Sequence, residues 1–195
     1  MINPLATVYT EHPTDLHTDI TRGMFDKFAE ESALGLVENP RILDVGCGMG
    51  VAWPSFLKHT KSELIEAITP DSTEAFNAHK RGIRVVSETA TWLWEEERYD
   101  VIWARHSLEH STCPYEDLSN CLRALKPGGL MYVEVPSPDT ACEHESNQNH
   151  YSVLGDKMWK SLFKKTGFQL FKSGEIKLEV MAGSDVYFWY FLRKP

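Results

Sequence analysis

The sequence predicts an α/β fold, a mostly parallel sheet with helices on both faces. Three observations carry that prediction. First, a short apolar run, Ile42-Leu43-Asp44-Val45, is followed by Gly46, Gly48 and Gly50 at alternate positions, and then by Pro54. A run of that length reads as a buried strand. Glycines so closely spaced suit neither a helix nor a strand interior; they permit positive φ and let a ligand approach the backbone. Proline suits the first turn of a helix. Second, apolar runs alternate with helical patterns from residue 42 to residue 135, the rhythm of βαβ units. Third, the chain ends in two further runs separated by turn signals, without a second βαβαβ half.

The elements follow in order. Residues 1–13, with Pro4 and Pro13, read as an extended arm. Over residues 14–37, Leu16, Ile20, Met24, Phe25, Phe28 and Leu36 recur at three and four residues. That spacing predicts one amphipathic helix, or two with a break near Gly23, capped by Thr14 or Asp15. A helix is expected over 51–59, a strand over 63–69, and a helix over 72–80 that Asp71 or Ser72 caps and Gly82 ends. Strands at 83–87 and 99–104, a helix at 114–124, a turn at 126–129 and a strand at 130–135 complete the alternation. Residues 137–150 are polar, irregular and too long for an ordinary connector, which marks them as functional. A helix over 154–166 ends at Gly167. Strands at 168–171 and 187–192 close the chain, with turns expected at Gly174 and at Gly183-Ser184-Asp185.

At 195 residues, with 42% hydrophobic and 25% charged residues, the chain reads as one globular domain. Residues 1–40 form an N-terminal arm and cap helix, and residues 41–195 the core. The net charge of −8, spread along the chain, argues against a nucleic-acid or anionic-membrane partner. Cys47, Cys113, Cys121 and Cys142 make no Cys-x-x-Cys pair, so a reduced, cytoplasmic chain is expected rather than a disulfide framework. No stretch reaches membrane-spanning length, and nothing points to export.

Glycine spacing narrows the ligand. A dinucleotide fingerprint would need glycine where Val51 stands, and a Walker A loop would need Lys-Ser/Thr. Asp44-x-Gly46-x-Gly48-x-Gly50 instead resembles the first motif of class I S-adenosylmethionine-dependent methyltransferases. Two later segments, running from Tyr99-Asp100 to Glu109-His110 and from Leu122-Arg123 to Gly128-Gly129, resemble later motifs of the type 11 and type 23 small-molecule methyltransferases. Asn149-His150-Tyr151-Ser152 and Thr166-Gly167-Phe168 are similar to that family's penultimate segment. The resemblance spans residue 41 to the C-terminus. It implies a Rossmann-like seven-stranded sheet, mostly parallel with an antiparallel last strand, and S-adenosyl-L-methionine as cofactor.

The resemblance also implies roles. Gly46, Gly48 and the Cys47 backbone would line the methionyl part, with Asp44 beneath holding its ammonium directly or through water. Glu88 would accept from the adenine amino group beside the Thr89 N–H. One of Trp92 and Trp94 would pack in the core and the other on the adenine. Ala104 and Arg105 would offer backbone carbonyls. The cap region would cover the cofactor, with Tyr9 and His12 reaching inward. The departure is at the second strand. Thr69 stands where the family has an acid bound to both ribose hydroxyls, and one hydroxyl cannot accept two hydrogen bonds as a carboxylate does. Asp71 either reaches back to the ribose or caps the next helix.

A hydroxyl acceptor needs a base, because alcohols are scarcely ionised at neutral pH. His106, just after the fourth strand, is the first candidate; His110, Glu143, His144, His150 and Tyr151 follow. Asp139, Glu143, His144, Glu145 and His150 include metal-ligand types, but their spacing fits no defined site and no metal is expected. The expected function is O-methylation of a small polar molecule, a saccharide or natural-product hydroxyl, with nitrogen as the lesser alternative. The expected partner is that small acceptor, with no nucleic acid or membrane, and the expected state is a monomer or homodimer. A non-catalytic cofactor-binding scaffold competes, supported only by Thr69. A nicotinamide oxidoreductase fails on glycine spacing and on the tail. The acceptor itself stays unnamed, because its pocket is built from the arm and residues 137–150.

Overall fold

In a computed structural model, which describes residues 15–32 and 34–195, the strands are β1 (Ile42–Val45), β2 (Ile65–Ile68), β3 (Arg84–Ser87), β4 (Tyr99–Arg105), β5 (Leu125–Pro136), β6 (Gln169–Val180) and β7 (Gly183–Arg193). They form one sheet in the order β3-β2-β1-β4-β5-β7-β6. Strands β1 to β5 pair in parallel, while β7 is antiparallel to both β5 and β6. The chain steps outward from β1 to β3 and then crosses to β4, so the order reverses between β1 and β4. Ligands bind at the carboxyl ends of strands at such a switch point.

Side-chain alternation splits the core in two. From β4, Val101 and Trp103 enter one cluster, with Phe25 and Phe28 of α1 (Asp15–Glu31), Trp53 and Phe56 of α2 (Trp53–Phe56) and Ala78 of α3 (Ser72–Lys80). Ile102 and Ala104 enter the other, with Leu118 and Cys121 of α4 (Pro114–Ala124) and Trp159 and Phe163 of α5 (Asp156–Thr166). The helix α1 runs unbroken through Gly23, held by the fully buried Phe25 and Phe28. At the far end of the sheet from the glycine turn, buried Glu66 meets Arg98 Nη2 at 2.7 Å, Arg84 Nη2 at 2.9 Å and Tyr99 Oη at 2.8 Å.

The structure corrects several expectations. The helix after the glycine turn has only four residues, because short turns rather than helix continue beyond Leu57. The turn at 126–129 lies inside β5: Leu125 pairs with Tyr99 and Leu130 with Val101, and the intervening residues bulge outward. Lys126 Nζ then grips Asp100 Oδ2 at 2.8 Å. Gly174 is no turn; it lies within β6 opposite Trp189, whose ring would stand 2.6 Å from any Cβ there. Gly183-Ser184-Asp185 likewise opens β7, and the chain reverses at Met181 and Ala182. Trp92 and Trp94 are both exposed, and buried Leu93 fills the core between them. The arm, with Tyr9, His12 and Thr14, lies outside the described residues.

Candidate active site

A cavity of about 730 Å³ opens over the carboxyl ends of β1 and β4. One end is built by the glycine turn. The N–H groups of Gly46 and Cys47 both bond the Ile68 carbonyl, at 3.0 and 3.2 Å, and the Gly50 N–H closes on the Cys47 carbonyl at 2.9 Å. Gly46, Gly48 and Gly50 all have positive φ. Their surroundings differ. A Cβ would strike Ser107 at 2.6 Å on Gly46 and the Trp53 ring at 2.2 Å on Gly50, but on Gly48 would meet only Glu74 Oε1, at 4.0 Å. Beneath the turn, buried Asp44 accepts a 2.8 Å bond from Trp53 Nε1. Burial, opposed by that bond and aided by Glu74, pushes its carboxyl up to about 7. Burial also raises the Cys47 thiol, which is unreactive on that account.

At the end of β2, buried Thr69 donates to Glu74 Oε2 at 2.5 Å. Asp71 caps α3, its Oδ1 accepting from the N–H groups of Thr73 and Glu74 at 2.8 and 2.9 Å. The carboxylate that reaches back to Thr69 is therefore that of Glu74. Burial raises its pKa despite the Thr69 bond. Glu88, Thr89 and Thr91 continue the wall, with Asp117 of α4 accepting from Thr91 Oγ1 at 2.6 Å.

The other end is rich in imidazoles. His106 follows β4 with φ of +48°, a left-handed conformation that costs a non-glycine residue ~1–3 kcal/mol. Its Nδ1 is 3.2 Å from Glu109 Oε1 and its Nε2 is 3.1 Å from Glu134 Oε1. Arg105 Nε stands 2.8 Å from the same Glu134 oxygen, and Tyr132 Oη donates to Glu134 Oε2. The Arg105 and His106 contacts to Glu134 are ion pairs without hydrogen-bond alignment. Burial and Arg105 work against the His106 cation, but Glu109 and Glu134 outweigh them and raise its pKa. Tyr187 lies edge-on to His106, with ring centroids 4.4 Å apart, and its hydroxyl is 3.3 Å from His17 Nε2 of α1. The loop after β5 brings His144 to Asp185, Nε2 to Oδ1 at 2.9 Å, and His150 Nδ1 donates to the His144 carbonyl at 2.9 Å. Burial lowers the His150 pKa.

A family model described as a methyltransferase domain matches residues 16–177. The chain belongs to that family. The methyltransferase is 24% identical over 182 residues to a malonyl-[acyl-carrier protein] O-methyltransferase of Paenibacillus sp. (strain JDR-2), covering 79% of this chain and 66% of that one. It is 29% identical over 138 residues to a ubiquinone biosynthesis O-methyltransferase of Bradyrhizobium sp. (strain ORS 278), covering 68% and 50%. The chain thus spans about half to two thirds of the length of these two curated relatives. Among solved structures, the fold matches a Burkholderia thailandensis 1,6-didemethyltoxoflavin-N1-methyltransferase with bound 1,6-didemethyltoxoflavin and S-adenosylhomocysteine. The TM-score is 0.70 at 19% identity, over 92% of this chain and 81% of that one. The methyltransferase's cofactor is S-adenosylmethionine. The open side of Gly48, the buried carboxyl of Asp44 and the Thr69–Glu74 pair are features such a cation-bearing nucleoside fits.

Of the residues expected to line the site, Asp44, Gly46, Cys47, Gly48, Thr69, Asp71, Glu88, Thr89, Arg105, His106, His144 and His150 all reach the cavity wall. Ala104 does not: it is fully buried in the sheet between Val45 and Val133. Trp92 and Trp94 are not on the wall either. Asp139, Glu143 and Glu145 do not converge on His144 and His150 as a ligand set; Glu145 instead accepts from the Asp139 N–H at 2.6 Å. The sequence reading missed Glu74, Asp117, His17, Tyr187 and Asp185. Glu74, three positions after a capping Asp71, was legible as a first-turn acid; the others come from distant elements and left no local signal. Among the described residues no helix is long and apolar enough to cross a membrane.

Proposed function

We propose that this methyltransferase moves a methyl group from S-adenosylmethionine to a hydroxyl oxygen of a small polar molecule, a saccharide or a natural product. The observation that carries the reading is one continuous cavity with a glycine-turn end and an imidazole-lined end. When bound, the cofactor supplies an electrophilic methyl on a sulfonium. The chain's own residues bind and orient. Gly48 leaves room over the turn, Asp44 offers an anion to the ammonium, and Glu74 with Thr69 takes the ribose hydroxyls. Glu88 is assigned to the adenine amino group. The carboxylate of Glu74 removes the one argument for a scaffold without activity, which rested on Thr69 standing alone.

For the acceptor, His150 rather than His106 is the base. An imidazole whose two nitrogens both face carboxylates favours its protonated form, and a protonated ring has no lone pair to offer. His150 has the reverse setting. Its Nδ1–H is committed to a carbonyl, which puts the lone pair on Nε2, and burial favours the neutral ring. His106 with Arg105, Glu109 and Glu134 then forms a rigid charged floor. The names of the curated relatives cited above favour oxygen over nitrogen.

The test couples detection of S-adenosylhomocysteine to a library of hydroxylated acceptors. His150→Gln should lower turnover on the best acceptor by roughly 10²–10⁴-fold, the range for a positioned general base. Its affinity for S-adenosylhomocysteine should match the parent's. Turnover confined to amine acceptors, or unaffected by His150→Gln, would overturn the oxygen-and-base reading.

A further inference from the structure

The loop at 137–150 is stitched along the start of β7. The Ser137 N–H bonds the Val186 carbonyl at 2.8 Å, and the Ala141 N–H bonds the Ser184 carbonyl at 3.1 Å. These two bonds set residues 142–144 against Asp185, some forty positions away in sequence. Between Cys142 and His144, Glu143 adopts φ of +47°, and its neighbours' side chains are turned toward one point. The Cys142 sulfur, a His144 ring nitrogen and an Asp185 carboxylate oxygen all lie within 4.8 Å of one another. Asp185 is 2% exposed, while Cys142 and His144 line the cavity itself.

We propose that Cys142, His144 and Asp185 form a site for a divalent transition ion of the zinc class, its remaining coordination position facing the acceptor end of the cavity. Thiolate, imidazole and carboxylate together are the donor set of zinc rather than of magnesium or calcium, which take oxygen. Three protein ligands with a fourth position left to water or substrate is the arrangement of a working site rather than a closed structural one. The 2.9 Å between His144 Nε2 and Asp185 Oδ1 is a hydrogen bond, and opening it to roughly 3.4 Å, the separation of two tetrahedral ligands at about 2.0–2.2 Å, would admit the ion in its place. A second group, Glu109, His110 and His150, also lies within ligand range. It is the weaker candidate, because Glu109 is already engaged by His106 and the group offers no thiolate.

The site stands on its own three side chains; its use rests on the methyl-transfer reading. There the ion would ligate an oxygen of the acceptor beside His150, fixing which hydroxyl of a polyhydroxylated molecule meets the methyl group.

The experiment titrates Zn²⁺, and separately Co²⁺, into the purified, chelator-treated full chain, with metal content measured after gel filtration. One ion per chain should be retained. The Co²⁺ form should show the intense visible bands of four-coordination and a thiolate charge-transfer band. Cys142→Ser should abolish the charge-transfer band. Cys142→Ser and Asp185→Asn should each weaken Zn²⁺ affinity by at least the roughly 10–100-fold that loss of an outer-shell partner costs. Should Asp185→Asn fail to fold, half-exposed Cys142 still tests the claim. No retained ion, a weak six-coordinate Co²⁺ spectrum, or affinity unchanged by Cys142→Ser would overturn the site. S-adenosylhomocysteine binding is measured alongside. If it persists without any ion, only the metal site fails; if it is absent from the parent, the methyl-transfer reading fails separately.

Discussion

At the scale of single residues, three glycines in one turn do two different things. Gly46 and Gly50 are small because Ser107 and Trp53 press against them, whereas Gly48 is small toward the cavity. Gly48→Val should therefore fold, at the modest cost of a left-handed side chain, and lose S-adenosylhomocysteine affinity in calorimetry. Gly50→Ala should instead destabilise the chain outright, seen as a lowered melting temperature. Asp44 gives a pH test. Its folded carboxyl titrates at about 7, and a bound ammonium would favour the ionised form. Affinity for S-adenosylhomocysteine should then fall about tenfold for each pH unit below 7 and level off above it. Asp44→Asn should show weak, pH-independent binding, and a flat profile in the parent would remove Asp44 from the ammonium site.

At the scale of elements, α3 returns a carboxylate to the end of β2. Thr69 ends β2 where a carboxylate was expected, and the first turn of α3 carries one back to it. That return depends on the cap, since Asp71 holds the Glu74 N–H as well as that of Thr73. Asp71→Ala should cost ~1 kcal/mol of stability, the usual worth of a helix cap, and also weaken cofactor binding by loosening Glu74. Asp71→Ser should restore both, because serine caps as well. Glu74→Ala should weaken binding by about 1–3 kcal/mol without the stability loss, as expected for losing a hydrogen bond to a charged group. Equal affinity in Glu74→Ala and the parent would return the ribose to another residue.

At the scale of the whole molecule, buried charges set a pH window. His106 is raised, so its contribution is complete below the unfolded imidazole pKa and is lost as pH climbs past the folded one. Glu109 and Glu134 are lowered, and their contribution is present above the unfolded carboxylate pKa and lost on acidification. Glu66, held at about 2 against burial by Arg98, Tyr99 and Arg84, fails on the same acid side. Asp44 has the opposite sign: a raised acid destabilises progressively from about pH 4 to 7. The protein without cofactor should be most stable at about pH 4.5, where the lowered carboxylates are ionised and Asp44 has cost least, and should lose stability from there toward pH 7. Replacing His106 with Gln should remove most of the decline on the alkaline side, and Asp44→Asn should remove the loss toward pH 7. Melting temperatures across pH 4–9 check both.

Much was legible because its causes are local. The strand and glycine turn at 42–50, the cap at Asp71, the helix at 114–124 and the stop at Gly167 each depend on neighbours within a few residues, where backbone sterics and capping act. The count of seven strands and the closing hairpin followed from the same alternation, and with them the place of the glycine turn after β1. What failed locally failed for a long-range reason. Gly174 looks like a turn until Trp189 is laid across it from the next strand. Four turn-forming residues bulge within a strand because β4 holds both flanks in register. His17 meets Tyr187 across 170 positions, and Cys142 and His144 meet Asp185 across about forty. The amino-acid sequence by itself determined the fold and the cofactor turn, since these are written in periodicity and backbone conformation. Only the tertiary structure decided which acid faces Thr69 and which imidazoles and thiol share a wall, because side chains far apart in sequence are brought together by packing and strand pairing that no local pattern records.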